Sequence, residues 1–195
     1  MKAFGTDHIP RRGPFILACN HISYFDPPLV GSMFSRPLHF MAKKELFGNR
    51  FFGWILKSVN AFPVSRRGVD RAAITRASEI LAGGGGLLIF PEGTRAREGR
   101  FLKARPGIGM IAAESGVPVI PCYVQGLNRP GDCFWGRLKA GVICGQPLEV
   151  AGGQNFDDGG EGYRALADEI MNRIKELKKE FNAYVKGRNM AGDSR

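Results

Sequence analysis

Residues 15–28 read FILACNHISYFDPP, an apolar run followed by a polar turn and two prolines. The apolar run, Phe15-Ile16-Leu17-Ala18-Cys19, is typical of a buried strand. Pro27-Pro28 favours the start of a helix directly after the turn. His21 therefore falls at a strand-to-helix turn, on the edge of an α/β sheet where ligands usually bind.

The pair His21 and Asp26 allows two interpretations. Asp26 follows His21 by five residues, close enough for the chain to fold back and for the carboxylate to hold the imidazole. A histidine held in this way can accept a proton from a hydroxyl near neutral pH. Alternatively, Asp26 is a helix N-cap before Pro27, and His21 is a hydrogen-bonded turn residue. The pair alone favours the second interpretation, and motifs further along the chain reverse that preference.

Length and composition predict one soluble globular domain. The chain has 195 residues, of which 44% are hydrophobic and 24% charged, values that are ordinary for such a domain. We expect the domain to cover residues 1–187, followed by a flexible tail at 188–195. The sequence contains no long uncharged apolar run and little chain before His21, so we expect neither a transmembrane helix nor a signal peptide.

The positive charge is concentrated in one part of the chain. The sequence has 28 basic and 18 acidic residues, a net charge of +10. Residues 64–105 hold nine basic and four acidic residues, so half of the excess lies in about a fifth of the chain. Such a stretch indicates an anionic partner, which charge alone leaves open among phosphate esters, an anionic membrane, nucleic acid and an acidic protein.

The four cysteines show no spacing of metal ligands. Cys19 and Cys122 lie in apolar, strand-like runs, whereas Cys133 and Cys144 have no C-x-x-C partner. We interpret these residues as structural, in a reducing compartment. Because no cluster of His, Asp and Cys has ligand spacing either, we expect no metal.

Strand-like and helix-like segments alternate along the chain. Strands are predicted at 15–19, 38–41, 61–64, 87–90, 117–124 and 141–144, and helices at 27–35, 70–81, 106–114 and 166–185. This pattern predicts a single α/β domain with a mixed, mostly parallel central sheet flanked by helices. The prolines of the strand at 117–124 indicate an edge strand or a bulge.

Residues 51–56 read FFGWIL and also allow two interpretations. They can form a helix that packs against the core, as most apolar helix faces do. The density of large aromatic side chains equally suits a surface that faces a membrane or binds an acyl chain.

Three further blocks accompany His21 and Asp26: FPVSR at 62–66, FPEGTR at 90–95 and VPVIP at 117–121. This set, in this order and spacing, resembles the glycerolipid acyltransferase family, whose best-known members are the 1-acyl-glycerol-3-phosphate acyltransferases. The resemblance extends from about residue 14 to residue 126. It implies a fold like that of the glycerol-3-phosphate acyltransferases.

The resemblance also implies roles for His21 and Asp26. His21 is similar to a general base that removes a proton from the acceptor hydroxyl as it attacks an acyl thioester, and Asp26 orients His21 and stabilises its imidazolium form. The substrate hydroxyl is then the nucleophile, and no acyl-enzyme is needed. A mechanism with Ser23 as the nucleophile is the rival, which the absence of a G-x-S-x-G motif disfavours.

Acceptor-binding residues are expected in the second and third blocks. Arg95 offers a planar donor fork to a phosphate dianion, and Arg66 converges from a neighbouring loop. The resemblance places Glu92, Gly93 and Thr94 along the acceptor site, with Glu92 hydrogen-bonded to the glycerol part. Lys103 and Arg67 are either secondary phosphate contacts or solvated surface residues. Many relatives carry an acidic or basic residue where this chain has Ser65, before the arginine of the second block. Which arginine binds the phosphate therefore stays open.

The sequence thus predicts an O-acyltransferase that is attached to the membrane surface. The acyl group would move from acyl-CoA or acyl carrier protein, as a co-substrate, to the free hydroxyl of lysophosphatidic acid in phospholipid synthesis. No cofactor is expected. Without a spanning helix, the basic stretch and residues 51–56 would hold the protein on the cytoplasmic, inner face of the cell membrane.

Three alternatives remain at this point. The acceptor can be another lysolipid, such as a lyso-ornithine lipid. The chain can be a non-catalytic module that binds anionic lipid, which would tolerate loss of His21. A nucleic-acid binder is disfavoured, because no aromatic and basic recognition motif is present.

Overall fold

The computed structural model describes residues 2–65, 68, 70–96, 100–126, 141–153 and 160–192, with side chains up to residue 184. Seven strands are present in these ranges: β1 Lys2–Phe4, β2 Phe15–Cys19, β3 Leu38–Lys43, β4 Ala61–Val64, β5 Gly86–Ile89, β6 Val119–Gln125 and β7 Gly141–Cys144. The α-helices are α1 Asp26–Ser32, α2 Arg50–Ser58, α3 Arg71–Ala82, α4 Pro106–Ser115 and α5 Glu161–Gly192. Short 3₁₀ helices span Thr6–His8 and Lys44–Phe47.

The strands form one sheet in the order β1-β7-β6-β2-β5-β3-β4. Five of its six strand pairs are parallel, and only the pair β6–β7 is antiparallel. All five residues of the central strand β2 are buried, as expected for a parallel strand that is covered on both faces. The predicted mixed, mostly parallel sheet is confirmed.

Helices cover both faces of this sheet. On β2, Ile16 and Ala18 point into a core that is shared with α3, α4 and α5. Phe15, Leu17 and Cys19 point into the opposite core, beneath α1 and α2. Since successive side chains of a strand face opposite sides, this single apolar run contributes to both layers. The chain is therefore one α/β domain with flanking helices.

The ends of the chain differ most from the predicted elements. The short strand β1 was not predicted, and it pairs in parallel with β7. Helix α5 begins at Glu161 and continues to Gly192, beyond both ends of the predicted helix at 166–185. The backbone is thus helical into the segment 188–195; whether that segment is flexible stays a prediction.

The edge position expected for the strand at 117–124 is wrong, because β6 lies between β2 and β7. The structure accommodates Pro121 next to an irregularity in the ladder. Cys122 pairs with Cys144 and Val119 with Leu148, so three steps along β6 face four steps along the neighbouring segment. The extra residue lies in the segment that follows β7, whereas β6 itself pairs residue for residue with β2 and with β7, so the bulge that the prolines indicated is not found in the proline-containing strand.

The sheet has a topological switch between β2 and β5. These strands are parallel neighbours, yet after β2 the chain passes over β5 to reach β3, and after β5 it passes over β2 to reach β6. Connections that diverge in this way open a crevice at the carboxyl ends of the two strands, where open α/β sheets bind ligands. The segments that follow β2 and β5 contain His21 and the FPEGTR block.

Helix α2 shows features of both interpretations of residues 51–56. Leu56 packs against the core beneath α2. Phe51, Phe52 and Trp54 are 67%, 56% and 68% exposed. The helix therefore contacts the core with one side and presents aromatic side chains to solvent with the other. Among the described helices, none has the length and apolar composition needed to cross a membrane.

Candidate active site

The first loop of the site, residues 20–26, is fixed to the sheet where β2 ends. The Asn20 side chain donates a hydrogen bond from Nδ2 to the Val124 carbonyl at 3.0 Å and accepts one at Oδ1 from the Val124 N–H at 2.7 Å. This pair of bonds continues the contact between β2 and β6 for one residue after the β2 backbone has turned away. The next residue, His21, therefore starts from a fixed point at the switch crevice.

His21 is held by Asp26 in the manner that the sequence pattern predicted. The distance from His21 Nδ1 to Asp26 Oδ2 is 2.7 Å. The His21 side chain is 11% exposed and that of Asp26 is fully buried. A carboxylate can only accept hydrogen bonds, so Nδ1 carries the hydrogen. The lone pair of the neutral ring then lies on Nε2.

Asp26 also closes the loop on which His21 lies. Its Oδ2 atom accepts hydrogen bonds from the backbone N–H groups of Ile22 at 2.6 Å and Ser23 at 2.8 Å. Both donors precede α1, and the N-cap residue of that helix is Phe25, which makes no side-chain cap bond. The N-cap interpretation of Asp26 is therefore wrong, because its carboxylate turns back toward His21 instead of forward into the helix.

The second loop of the site, residues 90–96, is organised by Glu92, which is 2% exposed. Oε1 accepts a hydrogen bond from the backbone N–H of His21 at 3.2 Å, and Oε2 accepts one from the N–H of Leu102 at 3.0 Å. Burial raises the pKa of Glu92 above its usual value, while these two bonds act to lower it. The glycerol contact expected of Glu92 stays a prediction, and the visible function of this carboxylate is to hold main chain.

Two more contacts join the loops at His21. The His21 and Phe90 rings are stacked, with centroids 4.2 Å apart and planes at 23°. The backbone N–H of Ala96 donates to the His21 carbonyl at 2.7 Å. The imidazole is thus held at Nδ1 and on one ring face, and the backbone of His21 is held at both its N–H and its carbonyl. This is the preorganisation that proton transfer requires.

Gly93 lets an arginine side chain approach the turn after β5. Gly93 has φ +65°, and a Cβ atom placed there would lie 2.6 Å from both Cδ and Nε of Arg105. The turn itself is closed by a 3.0 Å bond from the Gly93 N–H to the Phe90 carbonyl. A side chain at this position would be strained and would displace Arg105, which explains the need for glycine.

Arg95 lies at the exposed end of the second loop. Its Cζ atom is 3.4 Å from the centroid of the Tyr24 ring, a guanidinium–aromatic contact. Tyr24 belongs to the first loop and is 72% exposed. Arg95 and His21 are thus carried by the same two joined loops.

The remaining predicted residues are placed as follows. Thr94 follows Gly93 and is half-buried, and Lys103 is exposed. Arg66 and Arg67 lie outside the described residues, so their convergence on Arg95 stays a prediction. Ser23 is buried, and its Oγ accepts a hydrogen bond from the Phe25 N–H at 3.2 Å. That position suits a turn residue better than a nucleophile.

The described cysteines agree with a structural role. Cys19, Cys122 and Cys144 are free and buried, and all three belong to the core beneath α1 and α2. Burial raises the pKa of the Cys19 and Cys122 thiols well above the usual value, which disfavours the reactive thiolate. Cys133 lies outside the described residues. Within the described ranges no group of three His, Cys, Asp or Glu side chains is placed to hold a metal ion.

Comparison with known proteins assigns the family. The sequence model of the family described as Acyltransferase matches residues 2–125, more than half of the chain. The chain belongs to this acyltransferase family. The protein is therefore an enzyme that transfers an acyl group, and the alternative of a non-catalytic lipid-binding module is disfavoured.

Relatives of this acyltransferase agree with that assignment. The 1-acyl-sn-glycerol-3-phosphate acyltransferase of Bacillus subtilis (strain 168) is 32% identical over 184 residues, which are 93% of this chain and 90% of the Bacillus protein. The lyso-ornithine lipid O-acyltransferase of Pseudomonas aeruginosa is 37% identical over 116 residues, 58% of this chain and 44% of that protein. The crystal structure of the 1-acyl-sn-glycerophosphate (LPA) acyltransferase from Thermotoga maritima superimposes with a TM-score of 0.66 at 27% identity, covering 90% of this chain and 71% of that one.

Sequence reasoning did not find three contributors to the site of this acyltransferase. Asn20 anchors the first loop, Tyr24 stacks on Arg95, and Arg105 lies against Gly93. Asn20 and Tyr24 are part of the stretch that carries His21, so their position marked them as candidates. Their partners Val124 and Arg95 lie 104 and 71 residues further along the chain, and no local pattern predicts such contacts.

Proposed function

We propose that this acyltransferase moves a fatty acyl group from an acyl thioester to the free hydroxyl of lysophosphatidic acid, a step of phospholipid synthesis. The observation that carries the proposal is the 2.7 Å bond between His21 Nδ1 and Asp26 Oδ2 at the switch crevice. It leaves Nε2 as the basic atom of the ring. The names of the Bacillus and Thermotoga relatives support lysophosphatidic acid as the acceptor.

The chemistry needs no covalent intermediate with the protein. Nε2 of His21 takes the proton of the acceptor hydroxyl as its oxygen attacks the thioester carbonyl carbon. The buried Asp26 carboxylate stabilises the imidazolium that forms. The carbon–sulfur bond then breaks, and the imidazolium returns the proton to the departing thiolate. An ester and a free thiol are the products, and the imidazole is neutral again.

The acceptor phosphate would bind near Arg95. An arginine fork matches the geometry of a phosphate dianion, and Arg95 lies on the loop that contacts His21. Arg105 adds a second cation beside Gly93. We propose Arg66, Thr94 and Lys103 as further contacts on the acceptor side.

The donor is proposed to be acyl-CoA or acyl carrier protein, each of which presents the same thioester to His21. The protein residues described above supply the base and its support, so the reaction as proposed uses no cofactor.

The decisive experiment is a transfer assay with a labelled acyl group on CoA and on acyl carrier protein. Each donor is combined with lysophosphatidic acid, lysophosphatidylcholine, a lyso-ornithine lipid and monoacylglycerol. We expect labelled phosphatidic acid as the main product with at least one donor. Transfer mainly to a phosphate-free acceptor would refute the proposed acceptor and leave the acyltransferase assignment intact.

The lyso-ornithine lipid is included for a specific reason. The Pseudomonas enzyme named for that acceptor is 37% identical to this chain over 116 residues. It is the second candidate acceptor, and a preference for it in the assay would replace the first.

We further propose that the enzyme is attached to the cytoplasmic face of the membrane through α2. Phe51, Phe52 and Trp54 form what we call the α2 aromatic surface, and all three side chains are more than half exposed. The exposed cations Arg50 and Lys57 lie on the same helix. Aromatic side chains with neighbouring cations suit the interface of an anionic bilayer, where each cation contributes roughly 1 kcal/mol.

Vesicle co-sedimentation tests this attachment. The double variant Phe52→Ser/Trp54→Ser should leave anionic vesicles, and wild-type binding should weaken with salt because charges are screened beyond about 8 Å at physiological ionic strength. Tyr184→Ser, at another exposed aromatic residue on α5, serves as the control. Unchanged binding of the double variant, or equal binding to neutral vesicles, would refute the proposal.

A further inference from the structure

The Arg95 guanidinium is in contact with the Tyr24 ring although both side chains are exposed. Tyr24 is 72% exposed, yet the Arg95 guanidinium carbon lies 3.4 Å from its ring centroid. At that distance the guanidinium lies on the face of the ring. Such stacking is a favoured arrangement for arginine and restricts a side chain that would otherwise sample many rotamers.

Stacking restricts the guanidinium without using its hydrogen-bond donors. The five N–H groups of arginine point outward in the guanidinium plane, whereas the contact with Tyr24 involves the face. Within the described ranges, the Arg95 side chain makes no hydrogen bond and no ion pair. The donor edge is therefore oriented and still available to a ligand.

The stack is also fixed relative to His21. Tyr24 follows His21 by three residues in the first loop, and Asp26 closes that loop. Arg95 precedes Ala96, whose N–H donates to the His21 carbonyl at 2.7 Å. A phosphate on Arg95 would thus lie at a set distance from the imidazole, as required when one acceptor molecule must reach both groups.

We propose that Tyr24 is a positioning residue that holds the Arg95 guanidinium for the phosphate of the acceptor. The inference rests on the proposed function, since it requires a phosphate-bearing acceptor at Arg95. It adds that the ring of Tyr24, and not its hydroxyl, helps the enzyme to distinguish a phosphomonoester from an uncharged acceptor.

Steady-state kinetics with two matched acceptors test this role. Short-chain lysophosphatidic acid and the corresponding monoacylglycerol differ only in the phosphate and are both water-soluble. Tyr24→Leu should raise KM for the phosphate acceptor about fivefold, as expected for loss of an exposed cation–π contact. The kcat for that acceptor and the kinetics with monoacylglycerol should not change.

Three further variants complete the design. Tyr24→Phe keeps the ring and should restore the wild-type KM. Phe25→Leu removes the neighbouring exposed ring, which has no arginine contact among the described residues, and should match wild type. Arg95→Gln should raise KM for the phosphate acceptor by about tenfold or more, and adding Tyr24→Leu to it should have no further effect.

The outcomes separate the inference from the proposed function. If Arg95→Gln raises KM but Tyr24→Leu does not, only the role of Tyr24 is refuted. If Arg95→Gln leaves KM unchanged, the phosphate contact fails, and the inference fails with it. If Tyr24→Leu raises KM equally for both acceptors, the variant has disturbed the loop or removed an acyl-chain contact. That result would likewise overturn the inference.

Discussion

The two loops that meet at His21 are each organised by a buried carboxylate, but the carboxylates are used differently. In the first loop, Oδ2 of Asp26 accepts all three hydrogen bonds, from the His21 ring and from two backbone N–H groups. In the second loop, Glu92 divides its bonds, with one backbone N–H on each oxygen. Only Asp26 bonds to the ring that would carry the proton.

This difference predicts that the charge of Asp26 acts mainly in catalysis, whereas Glu92 acts mainly in holding the loop. An amide side chain has one acceptor oxygen, which can keep every bond of Asp26 but only one of the two bonds of Glu92. Replacing Asp26 by Asn therefore removes mainly charge, whereas replacing Glu92 by Gln also removes support. The same chemical change should give a kinetic defect in one loop and a stability defect in the other.

The largest expected effect comes from the residue that both loops hold. His21→Ala removes the proposed base, so transfer should fall by roughly 10²–10⁴-fold or more. The protein should stay folded and bound to vesicles, because the sheet and α2 are not altered. The measurement is initial-rate transfer, with circular dichroism to confirm folding.

A second histidine provides the control for this prediction. His39, half-buried near the start of β3, lies at the opposite end of its strand from the crevice, so His39→Gln should keep its activity. Wild-type turnover by a folded His21→Ala protein would remove the proposed mechanism.

Asp26→Asn should give the next largest loss of activity. The imidazolium would lose its counter-charge, and a decrease in kcat of at least about 10²-fold is expected. The three hydrogen bonds can remain, so the free energy of unfolding should change by only about 1 kcal/mol. Paired rate and urea-denaturation measurements would show this, and a large stability loss without a rate defect would make Asp26 purely structural.

Glu92→Gln should show the opposite pattern. One backbone N–H, of His21 or of Leu102, would face an amide NH₂, and leaving such a buried donor without an acceptor costs about 1–3 kcal/mol. Urea denaturation at neutral pH measures this cost. A variant as stable as wild type would mean that the divided bonds of Glu92 do not support the loop.

The difference in the free energy of unfolding between wild type and Glu92→Gln should depend on pH, and the direction of the pKa shift of Glu92 gives its sign. Because burial raises the pKa of Glu92 in the folded protein, the folded state keeps this proton where the unfolded chain has released it. The part of the stability that is linked to this proton is complete below the unfolded pKa, about 4.3, and is lost as pH rises through the raised folded pKa, whereas the two backbone hydrogen bonds to the carboxylate remain. The stability advantage of wild type over Glu92→Gln should therefore decrease as pH rises, and an increase would contradict the assignment.

The smallest effect concerns a third carboxylate, Asp70, which lies nearer the surface. It caps α3 through the Ala73 N–H at 3.1 Å and accepts the Ser65 N–H at 2.6 Å. Asp70→Ala should cost about 1 kcal/mol in the free energy of unfolding. Asp70→Ser can keep the cap and should retain part of this stability.

Asp70 also titrates in the opposite sense to Glu92. The Ser65 hydrogen bond, followed by that of Ala73, lowers the pKa of Asp70. Its contribution is present above the unfolded pKa and is lost as pH falls through the lowered folded value. The difference between wild type and Asp70→Ala should thus shrink toward acid pH, and thermal melts across that range would detect a difference of the wrong sign.

Local sequence patterns predicted the parts of the molecule that depend on local chemistry. The apolar run of β2, the strand β7 and the turn that carries His21 follow from hydrophobic periodicity and from Pro27-Pro28. The short strand β1 could not be predicted, because its three residues become a strand only by pairing with β7, about 140 residues away. The edge position predicted from Pro121 was wrong for the same reason. The neighbouring segments that accommodate this proline inside the sheet are distant in sequence, and no local pattern shows them.

The candidate site divides in the same way. The sequence brought His21 and Asp26 together but left the function of Asp26 open, since a cap and a histidine partner differ only in which way the loop closes. The resemblance placed Glu92 near the acceptor, whereas its two backbone bonds depend on His21 and Leu102 in the folded chain. The stack of Tyr24 on Arg95 had no signal in either segment alone.

The two bonds between Asn20 and Val124 have a consequence for the local dynamics of the crevice. The Val124 amide hydrogen is bonded to a side chain, so its exchange with solvent deuterium reports movement of the first loop as well as opening of the sheet. The Cys122 amide lies opposite Cys19 in the same pair of strands, so its exchange reports opening of the sheet alone. If the Val124 amide exchanges faster than the Cys122 amide, the first loop opens while the sheet beneath it stays closed. If both amides exchange at the same rate, the loop and the sheet open as one cooperative unit.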